Sequence, residues 1–312
     1  MTRYLVTGGG GFIGSNLVAA LVARGEEVVA LDNFSTGREE NLAGLPAGSF
    51  RLVRGDIRDP AVLADAIAGA DYVLHQAALP SVPRSIEAPF EAHDVNVTGT
   101  VRLFEAARAA KVKRVVFAAS SSAYGETPTL PKVETMLPDP LSPYAVTKLA
   151  AEAYARVYYL CYGLETVCLR YFNVFGPHQD PKSHYAAVIP RFCTAALAGG
   201  SPTIFGDGLQ SRDFCHIENA IQANLLACTA PGAAGQVFNV ACGERTTLLE
   251  VVALLGELVG RKVEAIHEPE RPGDIKHSLA DISRARQILG YTAPIDFRTG
   301  LSRTLDWYKS KA

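Results

Sequence analysis

Six cysteines are spread over 312 residues, at 161, 168, 193, 215, 228 and 242, and none belongs to a C-x-x-C pair. That spacing offers no zinc site and no disulfide framework, so neither a metal nor a cross-link is expected. Apolar runs are short; none reaches the roughly 18 residues of a membrane-spanning helix. Neither sign of charge prevails, with 30 basic residues against 32 acidic and a net charge of −2. Such a balance gives no electrostatic case for nucleic acid or an anionic membrane as partner. Gly/Ser linkers, repeats and low-complexity segments are missing as well. The N-terminus enters an apolar strand at Tyr4-Leu5-Val6, so no secretory signal is read there and the cytoplasm is the expected compartment.

What the chain does have is apolar material, 48% of its residues, enough to bury a full core without staples. The first half alternates regularly. Apolar strands are expected at Tyr4–Val6, Glu27–Leu31, Phe50–Val53, Asp71–His75, Arg114–Ala119 and Glu165–Leu169. Helical spacing fills the gaps at Leu17–Ala23, Ala61–Ala68, Val97–Ala110 and Pro143–Cys161. Strand–helix repetition with near-continuous apolar strands predicts an α/β fold with a doubly wound parallel sheet. Ligands of such sheets lie beyond the strand C-termini, and Gly8–Gly14, Asp32, Asp56, Gln76–Ala78 and Ser120 all fall there. After Arg170 the texture becomes loop-rich, with helices expected at Pro190–Ala198, Asn219–Thr229 and Leu248–Val259. Val237–Val240 reads as one more strand that rejoins the first sheet. The expected division is residues 1–172 for the sheet domain and 173–312 for a smaller interleaved lobe that closes over the ligand edge.

Three motifs carry chemistry. Gly8, Gly11 and Gly14 form G-x-x-G-x-x-G between a strand and a helix, a spacing that lets backbone approach a pyrophosphate at the helix N-terminus. Asp32 ends the second strand, where a carboxylate accepts from the adenosine ribose hydroxyls and repels a 2′-phosphate, which points to NAD rather than NADP. Tyr144 and Lys148, four apart, share one face of a helix. A phenol is a weak base at neutral pH, and a nearby ammonium would lower its pKa and let it take a proton from an alcohol.

Taken together, Thr7-Gly8-x-x-Gly11-Phe12-Ile13-Gly14, Ser120–Gly125, Tyr144-x-x-x-Lys148 and Arg170-Tyr171-Phe172-Asn173 resemble the extended short-chain dehydrogenase/reductases over nearly the whole chain. Within them the sequence is similar to the 4-epimerases of UDP-sugars. His75–Ala78 and Gly206-Asp207-Gly208…Ser211-Arg212-Asp213 fit those acting on UDP-N-acetylglucosamine or UDP-uronates. Ser120-Ser121-Ser122 departs from the Thr-Asp-Glu run of the dehydratases.

The resemblance implies roles. Tyr144 would be the base and Lys148 its neighbour, which also holds the nicotinamide ribose. For the catalytic hydroxyl, counting back from Tyr124-Gly125 gives Ser120, and counting from the end of the triple serine gives Ser122; Ser120 is taken, with Ser121 and Ser122 as substrate contacts. The implied NAD site takes in Gly8, Gly11, Phe12, Ile13, Gly14, Asp32, Asn33, Ser35, Thr36, Gly37, Asp56, Ile57, Gln76, Ala77, Ala78, Asn96, Ala118 and Tyr171. On the substrate side the family pattern implies Ser81, Asn173 on the diphosphate, Val188 and Thr203–Phe205 around uracil, Arg212 and Arg271 as a diphosphate clamp, Asp274, and Ser278 as a small gate residue that leaves room for a large C2 substituent. Pro80 and Ala187 depart from residues some relatives carry, Lys and Asn. His178, Lys182 and His184, in the loop 177–185, either read the sugar C6 or are solvated surface.

The implied reaction is inversion at C4 of a UDP-sugar through a 4-keto intermediate, with NAD retained. A dehydratase, decarboxylase or reductase would keep the same Tyr/Lys pair, whereas an NAD-sensing regulator of this fold would lack it. Apolar residues on more than one face of Pro143–Cys161, with the family's pairing of helices, imply a homodimer.

Overall fold

A computed structural model describes residues 1–181, 187–270 and 276–311. Seven parallel strands form the central sheet, in the spatial order Gln236–Val240, Thr166–Tyr171, Arg114–Ser120, Tyr72–His75, Arg3–Thr7, Glu27–Asp32 and Arg51–Arg54. The order reverses between the Arg3–Thr7 strand and the Tyr72–His75 strand, which pair through Thr7 and His75. A crevice opens at such a switch point, beyond the strand C-termini. Buried on both faces, the strands inside the sheet are nearly all apolar, while the edge strand Arg51–Arg54 is partly exposed. The returning strand pairs with Thr166–Tyr171, Phe238 opposite Leu169.

Helices cover both faces. One side packs Leu17, Val18 and Leu21 of the Phe12–Ala23 helix with Ala223, Ala227 and Cys228 of the Ile217–Thr229 helix. On the other, Leu103 and Phe104 join Ala151, Ala155 and Tyr158. Residues beyond 172 therefore supply both a strand and a covering helix to the sheet. A separate core gathers Phe175, Phe192, Phe214, Val251, Leu255 and Leu305. It includes the Phe297–Lys309 helix, which the sequence reading omitted because its charged residues mask a single apolar stripe.

The long helix Pro143–Tyr162 starts on sequence-encoded signals. Ser142 Oγ accepts from Ala145 N at 3.2 Å, Pro143 occupies the first turn, and Gly163 closes the helix at φ 70°. Its buried Glu152 receives Arg170 in two bonds of 2.9 and 2.7 Å. Both side chains are nearly inaccessible, and removing one partner of such a pair costs about 3–5 kcal/mol. This pair locks the helix that carries Tyr144 to the strand that leads to Asn173.

The helix expected from Val97 begins earlier and differently. Asp94–Gly99 is a π-helical turn that runs into Thr100–Ala109, preceded by short helices at Val82–Glu87 and Pro89–His93. The extra residue in the turn goes with an inward Asn96, which accepts from Leu79 N at 2.7 Å and donates to Thr147 Oγ1 at 3.0 Å.

Candidate active site and cofactor crevice

Ser120 ends its strand and caps the short turn Ser121–Tyr124. Its Oγ accepts from Ser122 N at 3.2 Å and from the Ser122 hydroxyl at 2.8 Å. The Ser120 hydroxyl is also the hydrogen-bond partner of the Tyr144 phenol. Two serine hydroxyls and the phenol thus form one chain, in which Ser120 touches Tyr144 and Ser122 touches Ser120.

Lys148 is 4% exposed and donates from Nζ to Ala118 O at 2.8 Å, with Nζ 5.0 Å from the centre of the Phe117 ring. Burial pulls its ammonium down to about 8. Tyr144 does not follow the sequence expectation. Its phenol is raised from the ordinary value, because burial outweighs the Ser120 hydrogen bond that opposes it. The Lys148 ammonium donates to the Ala118 carbonyl, and burial rather than that charge sets the Tyr144 phenol. His75, at the end of the adjacent strand, is held between Thr7 Oγ1 at 2.6 Å and Thr100 Oγ1 at 2.9 Å. Burial first, then the Lys148 charge, push it down to about 3, so it is a neutral structural imidazole.

The glycine loop is built for close approach. Gly8 has φ +69°, and a Cβ there would lie 2.8 Å from Ala77 N; at Gly14 it would lie 1.9 Å from Gly8 O. Neither position accepts a side chain. Asp32 Oδ2 accepts from Gly10 N at 2.8 Å and Oδ1 from Phe34 N at 2.7 Å, which fixes the carboxylate beside the loop. A Cβ at Gly37 would come within 2.9 Å of that carboxylate. Phe12 and Ile13 begin the helix the loop feeds. This cradle fits a dinucleotide: bare backbone at a helix start for the pyrophosphate, and an acid at the next strand end for a ribose.

The remaining predicted cofactor residues surround the same crevice. Asn33 Nδ2 donates to Asp56 Oδ2 at 2.8 Å, Ser35 N donates to Asn33 Oδ1 at 3.0 Å, and Thr36 is exposed beside them. Asp56 is clasped by Arg58, which holds its carboxyl down at about 2. Ile57 packs where a Cβ on Gly99 would touch it at 2.8 Å. Gln76 Nε2 donates to Asn224 Oδ1 at 3.2 Å, and Tyr171 OH receives Asn224 Nδ2 at 2.7 Å while donating to Gln76 Oε1 at 3.3 Å. Ala77 and Ala78 follow Gln76 beyond the strand, and Ala118 offers its carbonyl to Lys148. Asn224 was missed by sequence reasoning; its signal was a lone amide among the apolar positions of a helix, and it is fully buried.

Two adjoining hollows of about 260 and 140 Å³ share Asn173 and Arg212. The larger is bounded by Val188, Thr203, Phe205 and Phe214. The smaller takes in Ser120, Ser121, Ser122 and Ser278, together with Lys132 and His277. Asn173, at φ +31°, donates from Nδ2 to Asp213 O and to Ser278 Oγ, each at 3.1 Å. Non-glycine residues held at positive φ gather at functional sites. Arg212 Nη1 donates to the carbonyls of Ser211 and Lys276, both at 3.1 Å, and the residue lines both hollows. Ser81 sits apart from this network in the structure: its hydroxyl caps the Val82–Glu87 helix, accepting from Arg84 N at 3.1 Å. Arg271, Asp274, Lys182 and His184 lie outside the described residues. Lys132 and His277 escaped the sequence reading because neither stands in a periodic element or a spaced motif.

A model of the NAD dependent epimerase/dehydratase family matches residues 4–241. A UDP-glucose 4-epimerase of Mycolicibacterium smegmatis is 41% identical, with 99% of each chain covered. Among solved structures, a UDP-N-acetylglucosamine 4-epimerase from Methanobrevibacter ruminantium in complex with UDP-N-acetylmuramic acid aligns at TM-score 0.93, with 39% identity over 100% of this chain and 99% of that one. A UDP-glucuronic acid 4-epimerase from Bacillus cereus, in complex with UDP-glucuronic acid and NAD, aligns at TM-score 0.91, with 33% identity and 100% of both chains covered.

Proposed function

Given that this chain belongs to the NAD dependent epimerase/dehydratase family, we propose that it is an isomerase that inverts C4 of a UDP-sugar with bound NAD. The observation that carries this reading is Ser120, the hydroxyl partner of Tyr144 on the helix that also bears Lys148, lining a hollow beside a second, larger one with which it shares Asn173 and Arg212. A nucleotide sugar has that bipartite shape.

NAD, held by the Gly8–Gly14 loop and Asp32, would supply the redox chemistry at C4. The chain supplies the rest. Tyr144 accepts the proton of the sugar 4-hydroxyl through Ser120 and later gives it back, so the residues end as they began. Proton release from Tyr144 is opposed by burial in this structure; positive charge brought in with the cofactor would offset that cost. Asn173 and Arg212 hold the diphosphate while the 4-keto sugar turns, and a guanidinium fork suits that task. Val188, Thr203 and Phe205 enclose the uracil. Gly8–Gly14 and Asp32 retain the dinucleotide through the cycle, since its loss in reduced form would strand the ketone.

We also read the enzyme as a cytoplasmic homodimer. Val146, Tyr154, Val157 and Leu160 are exposed on one side of the Pro143–Tyr162 helix, and Phe90, on a helix packed against it, is 90% exposed, an apolar strip of the kind that marks an interaction site. Six free cysteines agree with a reducing compartment.

The deciding assay offers UDP-glucose, UDP-N-acetylglucosamine, UDP-glucuronate and UDP-N-acetylglucosaminuronate without added cofactor and reads the C4 configuration by NMR. Inversion of at least one is expected. Tyr144→Phe should retain NAD and bind the UDP-sugar but lose about 10²- to 10⁴-fold in turnover, the range for general acid–base catalysis. Net consumption of NAD, loss of water or CO₂, or near-normal turnover by Tyr144→Phe would overturn the reading.

A further inference from the structure

The smaller hollow contains a cation that the reaction just described does not use. Lys132 is 4% exposed. Its Nζ donates to the carbonyl and hydroxyl of Thr127, both neutral acceptors. No carboxylate among the described residues pairs with it, and burial lowers its ammonium from the ordinary lysine range. An ammonium has three donors, so one remains. Burying a charge without a counter-charge is costly.

The backbone holds this residue firmly in place. Lys132 N donates to Leu279 O at 2.8 Å, its carbonyl accepts from Asp281 N at 2.9 Å, and Asn239 Nδ2 adds a second donor to that carbonyl at 2.9 Å. The residue is therefore anchored in the wall of the hollow that also holds Ser120. His277 lines the same hollow, its Nδ1 within 2.9 Å of Ser211 Oγ. None of the described lining residues is acidic. A buried lysine with a donor to spare, and no acid among the described lining residues, favours an anion over a neutral hydroxymethyl group. The carbon attached next to the C4–C5 edge of a hexopyranose is C6, so a carboxylate at C6 would reach this side of the reacting centre.

We infer that Lys132 is the residue by which the site selects a nucleotide hexuronate over the neutral hexose, receiving the C6 carboxylate in the hollow it shares with Ser120 and His277. This rests on the proposed 4-epimerase reading and narrows its substrate class.

The test compares UDP-glucuronate with UDP-glucose. Wild-type kcat/KM should be higher for the uronate. In Lys132→Met the ratio of the two kcat/KM values should fall about 10- to 100-fold, the range for losing a hydrogen bond to a charged group, and Lys132→Arg should keep most of the preference. Binding is read separately in the Tyr144→Phe background by calorimetry, where Lys132→Met should weaken UDP-glucuronate far more than UDP-glucose. Equal losses for both sugars would reduce Lys132 to a structural tie and overturn the inference, as would a wild-type enzyme that inverts UDP-glucose and leaves the uronate untouched. Inversion of neither sugar, nor of the N-acetylated pair, is instead the failure of the epimerase reading, which takes the inference with it.

Discussion

Asn173 Nδ2 donates to Ser278 Oγ at 3.1 Å across 105 positions of sequence. That bond joins the end of the sheet to the lobe over the substrate hollow, and it exists because Ser278 N donates to Ser211 O at 3.0 Å and brings its segment alongside. A side chain longer than serine at 278 must enter the hollow or displace Asn173. Ser278→Tyr is expected to lower kcat/KM for UDP-N-acetylglucosamine at least about tenfold more than for UDP-glucose, since overpacking a fitted site costs about 1–3 kcal/mol. Steady-state kinetics on the two substrates checks it; an unchanged ratio would remove Ser278 from any role in sugar size.

Asp32 faces both the glycine loop and the end of its strand, with Gly10 N at 2.8 Å. Asp32→Asn keeps the shape and removes the charge. The variant should purify with less bound NAD, and its discrimination against NADP should shrink by about 10-fold or more, because a carboxylate repels a 2′-phosphate. Cofactor content after gel filtration, followed by titration with NAD and NADP, reads both effects. Full retention of NAD selectivity would mean that the ribose is read elsewhere.

His75 supplies a pH dependence of stability. Its folded-state value is pushed down to about 3 from an ordinary 6.5, so between those values the unfolded chain binds a proton that the folded one does not. Stability contributed by the neutral ring is complete above about 6.5 and is lost as pH falls toward 3, at about 1.4 kcal/mol per unit. His75→Gln should be less stable than wild type at pH 7, and the gap should narrow steadily on acidification. Urea unfolding at pH 7 and pH 5 measures it. A gap that does not change with pH would show that His75 is not the titrating group.

The exposed strip on the Pro143–Tyr162 helix invites a direct disruption. Leu160 is 64% exposed, so Leu160→Glu should leave the fold intact and cost less than about 0.5 kcal/mol in an isolated chain. If the strip is the dimer contact, the variant should sediment as a monomer at micromolar concentrations at which wild type sediments as a dimer. Monomeric wild type would dispose of the homodimer.

Much of this protein is local in origin. Whereas the short helices Val82–Glu87 and Pro89–His93 were not legible, the seven strands and the longer helices between them were, from apolar runs and helical spacing. The dinucleotide loop was legible for the same reason: its spacing encodes where backbone must be bare. Tyr144 and Lys148 could be paired from their helical period alone. What that period could not convey is their electrostatics. Whether Lys148 lowers Tyr144 depends on where the fold holds the ammonium and how deeply both groups are buried, and here it donates to Ala118 O on the neighbouring strand while burial raises the phenol. Lys132, His277 and Asn224 were silent in sequence because each acts through neighbours at least 40 or more positions away or in irregular chain, and no periodicity marks such residues. The amino-acid order determined the elements and the bare loop; the tertiary structure decided which charges are buried, which are partnered, and which side chains share a pocket, since desolvation and Coulomb interaction depend on distances that only the folded chain sets.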